Sequence, residues 1–144
     1  YYGNPEAGDK AFDAEGWFDT GDIIRMEGDG SLFFSDRDKD MLKVGAENVA
    51  ASEIESVILA SGLVTECAVV AQKHFMLDEV PVAFVIPQGL AGADLGARLL
   101  SYCSENLADF KVPQAVFVVD ELPRSTLEKV AKNELRNRLP VIEN

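Results

Sequence analysis

Two short polar segments carry side chains suited to binding a nucleotide. The first reads GWFDTGD at residues 16–22, and the second reads DRDKD at residues 36–40. Gly21 allows a tight backbone turn, after which the carboxylate of Asp22 can accept hydrogen bonds from two vicinal hydroxyls. Arg37 supplies a planar, permanently charged donor for ribose or phosphate oxygens. Together these residue types suggest a nucleotide site.

Each of these residues also has an ordinary structural explanation. Asp22 could hold its own turn through an Asx hydrogen bond. Arg37 could form a solvated ion pair within its charged run, which contributes little to stability. Two residues alone therefore leave the choice open.

Two further segments make a family recognisable. They read KVGAENVAASEIE at residues 43–55 and LPRSTLEKVAK at residues 122–132. Together with the opening YYGNPEA at residues 1–7 and the TGD at residues 20–22, they follow the order of the C-terminal motifs of the adenylate-forming superfamily. This superfamily includes acyl-CoA synthetases, peptide-synthetase adenylation domains and beetle luciferases. The chain resembles, from end to end, the C-terminal portion of its acid–CoA ligase branch, in which the carnitine/crotonobetaine ligases are one group.

The resemblance implies a domain boundary and roles for three residues near it. Residues 1–36 would end a large N-terminal domain, and residues 37–144 would form a mobile C-terminal lid. Asp22 would accept hydrogen bonds from the ribose hydroxyls of ATP, and Arg37 would approach the ribose and phosphate. Lys39 would be the hinge. Because the first motif begins inside its usual pattern, we expect a longer natural chain.

A second set of residues resembles the part of the family that handles the thiol. Lys43 and the loop residues Gly45, Ala46 and Glu47 look like the "GGEN" form of CoA ligases rather than the arginine-containing form of peptide synthetases. The resemblance implies that this loop lines the channel for the pantetheine arm of CoA. Glycine at position 45 would let the backbone approach a thin ligand. A plain β-turn would explain Gly45 equally well.

Lys129 matches the catalytic lysine of the family pattern P-x-x-x-x-G-K, which begins here at Pro123. A lysine ammonium would stabilise the negative charge that builds up when a carboxylate attacks the α-phosphate of ATP. The expected glycine is Glu128. If that position requires a positive φ, glutamate costs about 1 kcal/mol or more. Some CoA ligases that resemble the carnitine/crotonobetaine branch relax this glycine, so an inactive enzyme is not inferred from Glu128. Without the motif, a solvated lysine at a helix start would explain Lys129.

Composition limits the other classes of function. A chain of 144 residues with 47% hydrophobic residues can bury a core, and its net charge of −12 argues against nucleic acid or anionic membranes as partners. No apolar run approaches the roughly 20 residues of a transmembrane helix. We interpret Cys67 and Cys103 as buried small hydrophobes in a reducing, cytoplasmic compartment, and His74 as a surface residue. One histidine and the absence of Cys/His spacing predict no metal site.

Local patterns predict an α+β fold with a small mixed β-sheet flanked by helices, preceded by a β-hairpin from the end of the N-terminal domain. Residues 1–22 are interpreted as loop, and a capping box of Ser52 and Glu55 is predicted to start the first helix. The predicted strands are 23–27, 31–35, 41–44, 64–71, 80–86 and a buried 116–119. The predicted helices begin at residue 52, at 93 (to 107) and at 131 (to 139).

The function expected from the resemblance is that of an ATP-dependent, AMP-forming carboxylic acid–CoA ligase, of which this piece alone is inactive. Its partners would be a small carboxylic acid, ATP with Mg²⁺, CoA and the N-terminal domain, which would hold most of the Mg²⁺ ligands. Two alternatives stay open. One is an adenylation domain that loads a carrier protein, and the other is a non-catalytic α+β interaction module.

Overall fold

The chain folds into two units, one ending at Lys39 and the other beginning at Asp40. The structure, a computed structural model, describes residues 5–90, 92–125 and 128–139. Residues 1–4 of the opening motif, together with Thr126 and Leu127 of the last motif, lie outside the described residues.

The first unit is a helix followed by a β-hairpin. Helix α1 spans Pro5–Ala11, and strands β1 (Asp22–Met26) and β2 (Leu32–Arg37) pair antiparallel. The hairpin was predicted from its glycine turn and is confirmed. The interpretation of residues 1–22 as loop is wrong for α1, which begins with a proline and carries an acidic residue in its first turn. Both features favour a helix start, but the segment is too short to show helical periodicity.

The second unit contains a mixed sheet, as the sequence predicted, and this sheet has five strands. Its strands are β3 (Met41–Val44), β4 (Glu47–Ala50), β5 (Val64–His74), β6 (Asp78–Pro87) and β7 (Ala115–Val118). The order is β4-β3-β6-β5, and β7 pairs with β6. The β6–β7 pair is parallel and the other pairs are antiparallel. The long β5–β6 hairpin is therefore the frame of this unit.

Helices cover both faces of the sheet. The helices are α2 (Ala51–Ala60), α3 (Leu95–Asn106) and α4 (Lys132–Arg138), with short 3₁₀ turns at Asp38–Asp40 and Asp109–Lys111. Because side chains alternate along a strand, Val69 of β5 faces the core formed with α2 and α3, whereas Ala68 and Val70 face Leu122 and α4. None of the described helices has the length and apolar character needed to cross a bilayer.

Two local predictions are corrected by the structure, and one strand was missed. The N-cap of α2 is Ala50 and no side chain caps it; Glu55 does not complete a capping box and instead accepts a hydrogen bond from Val69 N at 2.8 Å. Strand β4 was not predicted, because its four residues carry no clear alternation. Strand β7 was predicted to be buried, but Phe117 and Val118 are exposed.

The two cysteines are free, with Cys103 fully buried in α3 and Cys67 partly buried on β5. Burial raises the pKa of the Cys67 thiol to about 12 and also raises that of Cys103. A thiol nucleophile must first lose its proton. Both side chains therefore behave as small apolar groups near neutral pH.

Candidate functional site

Asp22 and Arg37 lie directly opposite each other in the β1–β2 hairpin. Cross-strand partners share one face of the sheet, and here the Arg37 Nε stands 3.2 Å from the Asp22 Oδ1. The Arg37 side chain is 48% exposed and the Asp22 side chain is 32% exposed. The neighbouring Asp36 is 6% exposed, since alternation directs it to the opposite face. The hairpin end therefore presents a carboxylate and a guanidinium together on an accessible surface.

The turn before β1 does not depend on the Asp22 side chain. Asp19 Oδ1 accepts the hydrogen bond from Gly21 N at 2.8 Å, and Thr20 Oγ1 accepts one from Asp22 N at 3.2 Å. Gly21 has φ +67° and its carbonyl accepts a hydrogen bond from Asp38 N at 2.9 Å. Asp19 thus supplies the Asx bond that Asp22 was considered for. The Asp22 carboxylate has Arg37 as its ion-pair partner.

Lys39 is exposed in the middle of the 3₁₀ turn that ends the first unit. The next residue, Asp40, belongs to the second unit and forms an ion pair with Arg136 of α4 at 3.6 Å. The predicted hinge position therefore coincides with the last residue before the division of the chain.

Gly45 makes the turn between β3 and β4 with φ +61°. Its N–H donates to the Leu77 carbonyl at 2.7 Å, so the tip of the β5–β6 hairpin supports this turn. Lys43 pairs with Asn48 in β4, and its side chain is exposed. Ala46 and Glu47 are also exposed. The structure therefore brings the four residues predicted to serve the thiol onto one hairpin end.

His74 organises the tip that supports Gly45. Its Nδ1 accepts hydrogen bonds from the N–H groups of Met76 at 3.3 Å and Leu77 at 3.2 Å, and its ring stacks on Phe75 at 4.9 Å. Sequence reasoning treated His74 as an ordinary surface residue and missed this contribution. No local sequence pattern predicts this contribution, because the hydrogen bond between Gly45 and Leu77 joins two hairpins that are distant in sequence.

Lys129 lies in a tight loop that joins Leu122 to α4. Pro123 and Ala131 are bonded across its base (Ala131 N to Pro123 O, 2.7 Å). Ser125 N donates to Lys129 O at 2.7 Å, while Glu128 N donates to Ser125 O at 3.0 Å. Glu128 has φ +59°. These are the bonds of a hairpin loop closed by a G1 bulge, in which the left-handed position usually holds glycine.

The position of Glu128 explains the glycine of the motif, and the exposure of Lys129 leaves its ammonium accessible. Two cationic side chains anchor the loop. Arg124 contacts the Glu66 carboxylate on β5 and the carbonyl of Glu128, and Lys132 pairs with Glu55 at 2.8 Å. These anchors were not identified from the sequence.

The Lys129 loop and the Gly45 turn are attached to opposite ends of strand β5. Arg124 fixes the loop at Glu66, whereas the Gly45 turn is bonded to the tip that follows His74. Glu66 and His74 are eight residues apart on this strand, which at about 3.3 Å per residue separates them by roughly 26 Å. One rigid sheet therefore presents two lysine-bearing turns at well-separated places.

Comparison with known proteins gives a consistent set of relatives. Residues 53–129 match the profile described as "AMP-binding enzyme C-terminal domain". The 2-succinylbenzoate–CoA ligase of Geobacillus kaustophilus is 39% identical over 143 residues, covering 99% of this chain and 29% of that protein. Pyochelin synthase PchD of Pseudomonas aeruginosa is 39% identical over 140 residues, covering 96% of this chain and 25% of that protein.

The fold also matches a solved structure. ATP-bound MatB from Rhodopseudomonas palustris aligns with a TM-score of 0.82 and 37% identity, over 95% of this chain and 27% of that one. The chain thus spans between 25% and 29% of the length of these proteins.

Proposed function

Because the chain belongs to the AMP-binding enzyme C-terminal domain family, within the adenylate-forming superfamily, we propose that it is the C-terminal portion of an ATP-dependent, AMP-forming acid–CoA ligase. In the first half-reaction, a carboxylate oxygen of the acid attacks the α-phosphorus of ATP and pyrophosphate leaves. In the second, the sulfur of CoA attacks the acyl carbonyl, and the thioester forms as AMP leaves. The residues that select the acid are expected in the N-terminal domain.

The observation that carries this proposal is the placement of two lysines on separate turns of one rigid unit. Lys129 lies in the loop held at Glu66, and Lys43 lies beside the turn held at the tip after His74; these two anchor points are roughly 26 Å apart along β5. Turns anchored at opposite ends of one strand are suited to reach a reacting centre one at a time. We infer that Lys129 serves adenylation and that Lys43, with Gly45, Ala46 and Glu47, serves thioester formation. The unit then changes orientation between the steps.

Asp22 and Arg37 fit the ribose of ATP. The carboxylate can accept hydrogen bonds from both vicinal hydroxyls, and the guanidinium beside it adds donors for ribose or phosphate oxygens. Both groups already stand together at the exposed hairpin end, at 3.2 Å. Mg²⁺ supplies positive charge at the ATP phosphates when bound. We place its protein ligands mainly in the N-terminal domain, as the family resemblance implies.

The thiol acceptor has a second candidate. A pyochelin synthase is as similar to the chain as the Geobacillus CoA ligase is, at 39% identity each. The thiol of a carrier protein is therefore the alternative to CoA. The sequence of the Gly45 turn, which resembles the CoA-ligase form, favours CoA.

A reciprocal lysine experiment on the full-length enzyme tests the proposal. Lys129→Ala should lower acid-dependent pyrophosphate exchange by about 100-fold or more, because it removes a charge aimed at the transition state. It should leave thioester formation from supplied acyl-adenylate within about threefold of wild type. Lys43→Ala should show the opposite pattern. Lys10→Ala, which removes an exposed lysine of α1, is the matched control and should leave both steps unchanged.

Equal losses of both half-reactions in the Lys129 and Lys43 variants would contradict this division of labour. The second assay is run with CoA and with carrier protein as alternative acceptors. If the enzyme forms a thioester with carrier protein but not with CoA, the carrier-protein thiol is the acceptor and the assignment of CoA is wrong.

A further inference from the structure

We propose that Arg124 is a positioning residue for Lys129. Its guanidinium ties the backbone of Glu128 to strand β5 and so keeps Glu128 in the left-handed conformation that presents the next residue, Lys129. This inference rests on the proposed role of Lys129 in adenylation, and it adds a residue through which that lysine is held.

The strand face explains why Arg124 reaches β5. Glu66 lies on the same face of β5 as Ala68, which packs in the core that contains Leu122 and Leu135. Leu122 is 5% exposed and anchors the chain on that face just before the loop begins. Two residues later, Arg124 extends along the face and contacts the Glu66 carboxylate.

One side chain makes both anchoring contacts. The Nη2 of Arg124 donates to Glu66 Oε2, and its Nη1 donates to the carbonyl oxygen of Glu128 at 3.1 Å. A guanidinium can serve two acceptors at once because its donors are held in a rigid fork. A lysine ammonium is a compact point charge and lacks this fixed geometry. Arg124 thus couples the sheet directly to the residue before Lys129.

The residue at position 128 makes this coupling necessary. The loop requires φ +59° there, a region that glutamate disfavours because its Cβ crowds the carbonyl oxygen that follows. Once the anchor is removed, Glu128 can relax toward negative φ, and Lys129 would change direction. Glycine populates positive φ freely, so a loop with glycine at 128 depends less on Arg124. The chain therefore combines glutamate at a position that favours glycine with a restraint on that position, which is supplied by Arg124.

Half-reaction kinetics on the full-length enzyme test the inference. Arg124→Ala should lower kcat for adenylation about tenfold, the population shift expected from the left-handed penalty of an L-residue. The KM for ATP and the thioester step should stay within about twofold, since neither involves Lys129. Adding Glu128→Gly to Arg124→Ala should restore adenylation to within about threefold of wild type, because glycine accepts positive φ without the anchor. Arg98→Ala, an exposed arginine of α3, is the control and should change nothing.

A conformational measurement on the full-length enzyme completes the test. The ³J(HN–Hα) coupling and Cα shift of Glu128 should leave the left-handed pattern in Arg124→Ala, and Glu66→Gln should move them in the same direction by less. If Glu128 keeps its left-handed signature in Arg124→Ala, or if Glu128→Gly fails to rescue, the positioning role is overturned. Full adenylation by Lys129→Ala would instead refute the proposed function. The two failures are thus distinguishable.

Discussion

At the scale of single residues, Glu128 is the clearest departure from what local chemistry prefers. It occupies φ +59° although it has a Cβ, in a loop whose hydrogen bonds suit glycine. The sequence already marked this position as one where the family has glycine. The structure supplies the reason, since the left-handed conformation is the one a G1 bulge requires.

Replacing Glu128 by glycine should therefore stabilise the chain. Removing the left-handed penalty gains about 1–2 kcal/mol, and the greater freedom of glycine in the unfolded chain offsets about 0.4–1 kcal/mol of it. We expect a net gain of about 0.5–1 kcal/mol in the free energy of unfolding, measured by urea denaturation. Glu128→Ala keeps a Cβ and so retains the penalty, and it should change stability by less than about 0.5 kcal/mol. Equal midpoints for the glycine and alanine variants would show that φ at 128 carries no strain.

At the scale of elements, the predictions that succeeded were those that depend only on local sequence patterns. The hairpin of β1 and β2 is marked by the turn Gly28-Asp29-Gly30, and β5 and β6 by long runs of β-branched residues. The helix α3 shows apolar spacing, and both α3 and α4 were placed to within two residues at each end. Periodicity and turn chemistry are local properties, and these elements need no more.

The features that sequence reasoning missed are contacts between distant segments. Arg124 and Glu66 are 58 residues apart in the chain. The hydrogen bond from Gly45 to Leu77 joins two separate hairpins. Glu55, which was predicted to cap a helix, instead accepts a hydrogen bond from Val69 N and forms an ion pair with Lys132. Such pairings depend on which strands become neighbours and in what register. A local pattern does not contain that information.

Glu55 and Glu53 offer a matched pair of ion pairs on one helix. Glu55 pairs with Lys132 at 2.8 Å with both side chains no more than 20% exposed, and it also accepts the Val69 N–H. Glu53 pairs with Lys111 at 2.7 Å, but its side chain is 46% exposed. The same charges therefore occur with different burial and different backbone contacts.

Glu55→Ala should destabilise the chain by about 2 kcal/mol, because it leaves a backbone N–H and a largely buried ammonium without their acceptor. Glu53→Ala should lower the free energy of unfolding by at most about 1 kcal/mol, since an exposed pair is screened by water. Urea denaturation of both variants gives the comparison. A loss for Glu53→Ala as large as that for Glu55→Ala would show that the helix position, and not the buried contacts, sets the effect.

At the scale of the whole molecule, the chain consists of two units of unequal size that meet in sequence at Lys39 and Asp40. The predicted nucleotide pair, Asp22 and Arg37, belongs to the first unit. Both predicted catalytic lysines belong to the second. The family likeness could identify all four, but it could not give the separation of the two lysine-bearing turns along β5. That separation follows from the length of a hairpin whose register only the fold reveals.

If the second unit serves two half-reactions in turn, the backbone at Lys39 must change its φ and ψ between them. Proline at this position should block that change while tolerating the present conformation, because a 3₁₀ turn uses a φ close to the fixed value of proline. In the full-length enzyme, Lys39→Pro should keep adenylation within about threefold and lower thioester formation by about tenfold or more. Lys39→Ala removes the same side chain but leaves φ free, so both half-reactions should continue. Proline also disfavours helical backbone at the preceding residue, Asp38, which lies in the same turn, so the urea midpoint of Lys39→Pro is measured in parallel to separate a folding defect from a hinge defect. A thioester defect in Lys39→Ala as deep as that in Lys39→Pro would assign the effect to the lost ammonium, and the hinge would then have to lie elsewhere in the chain.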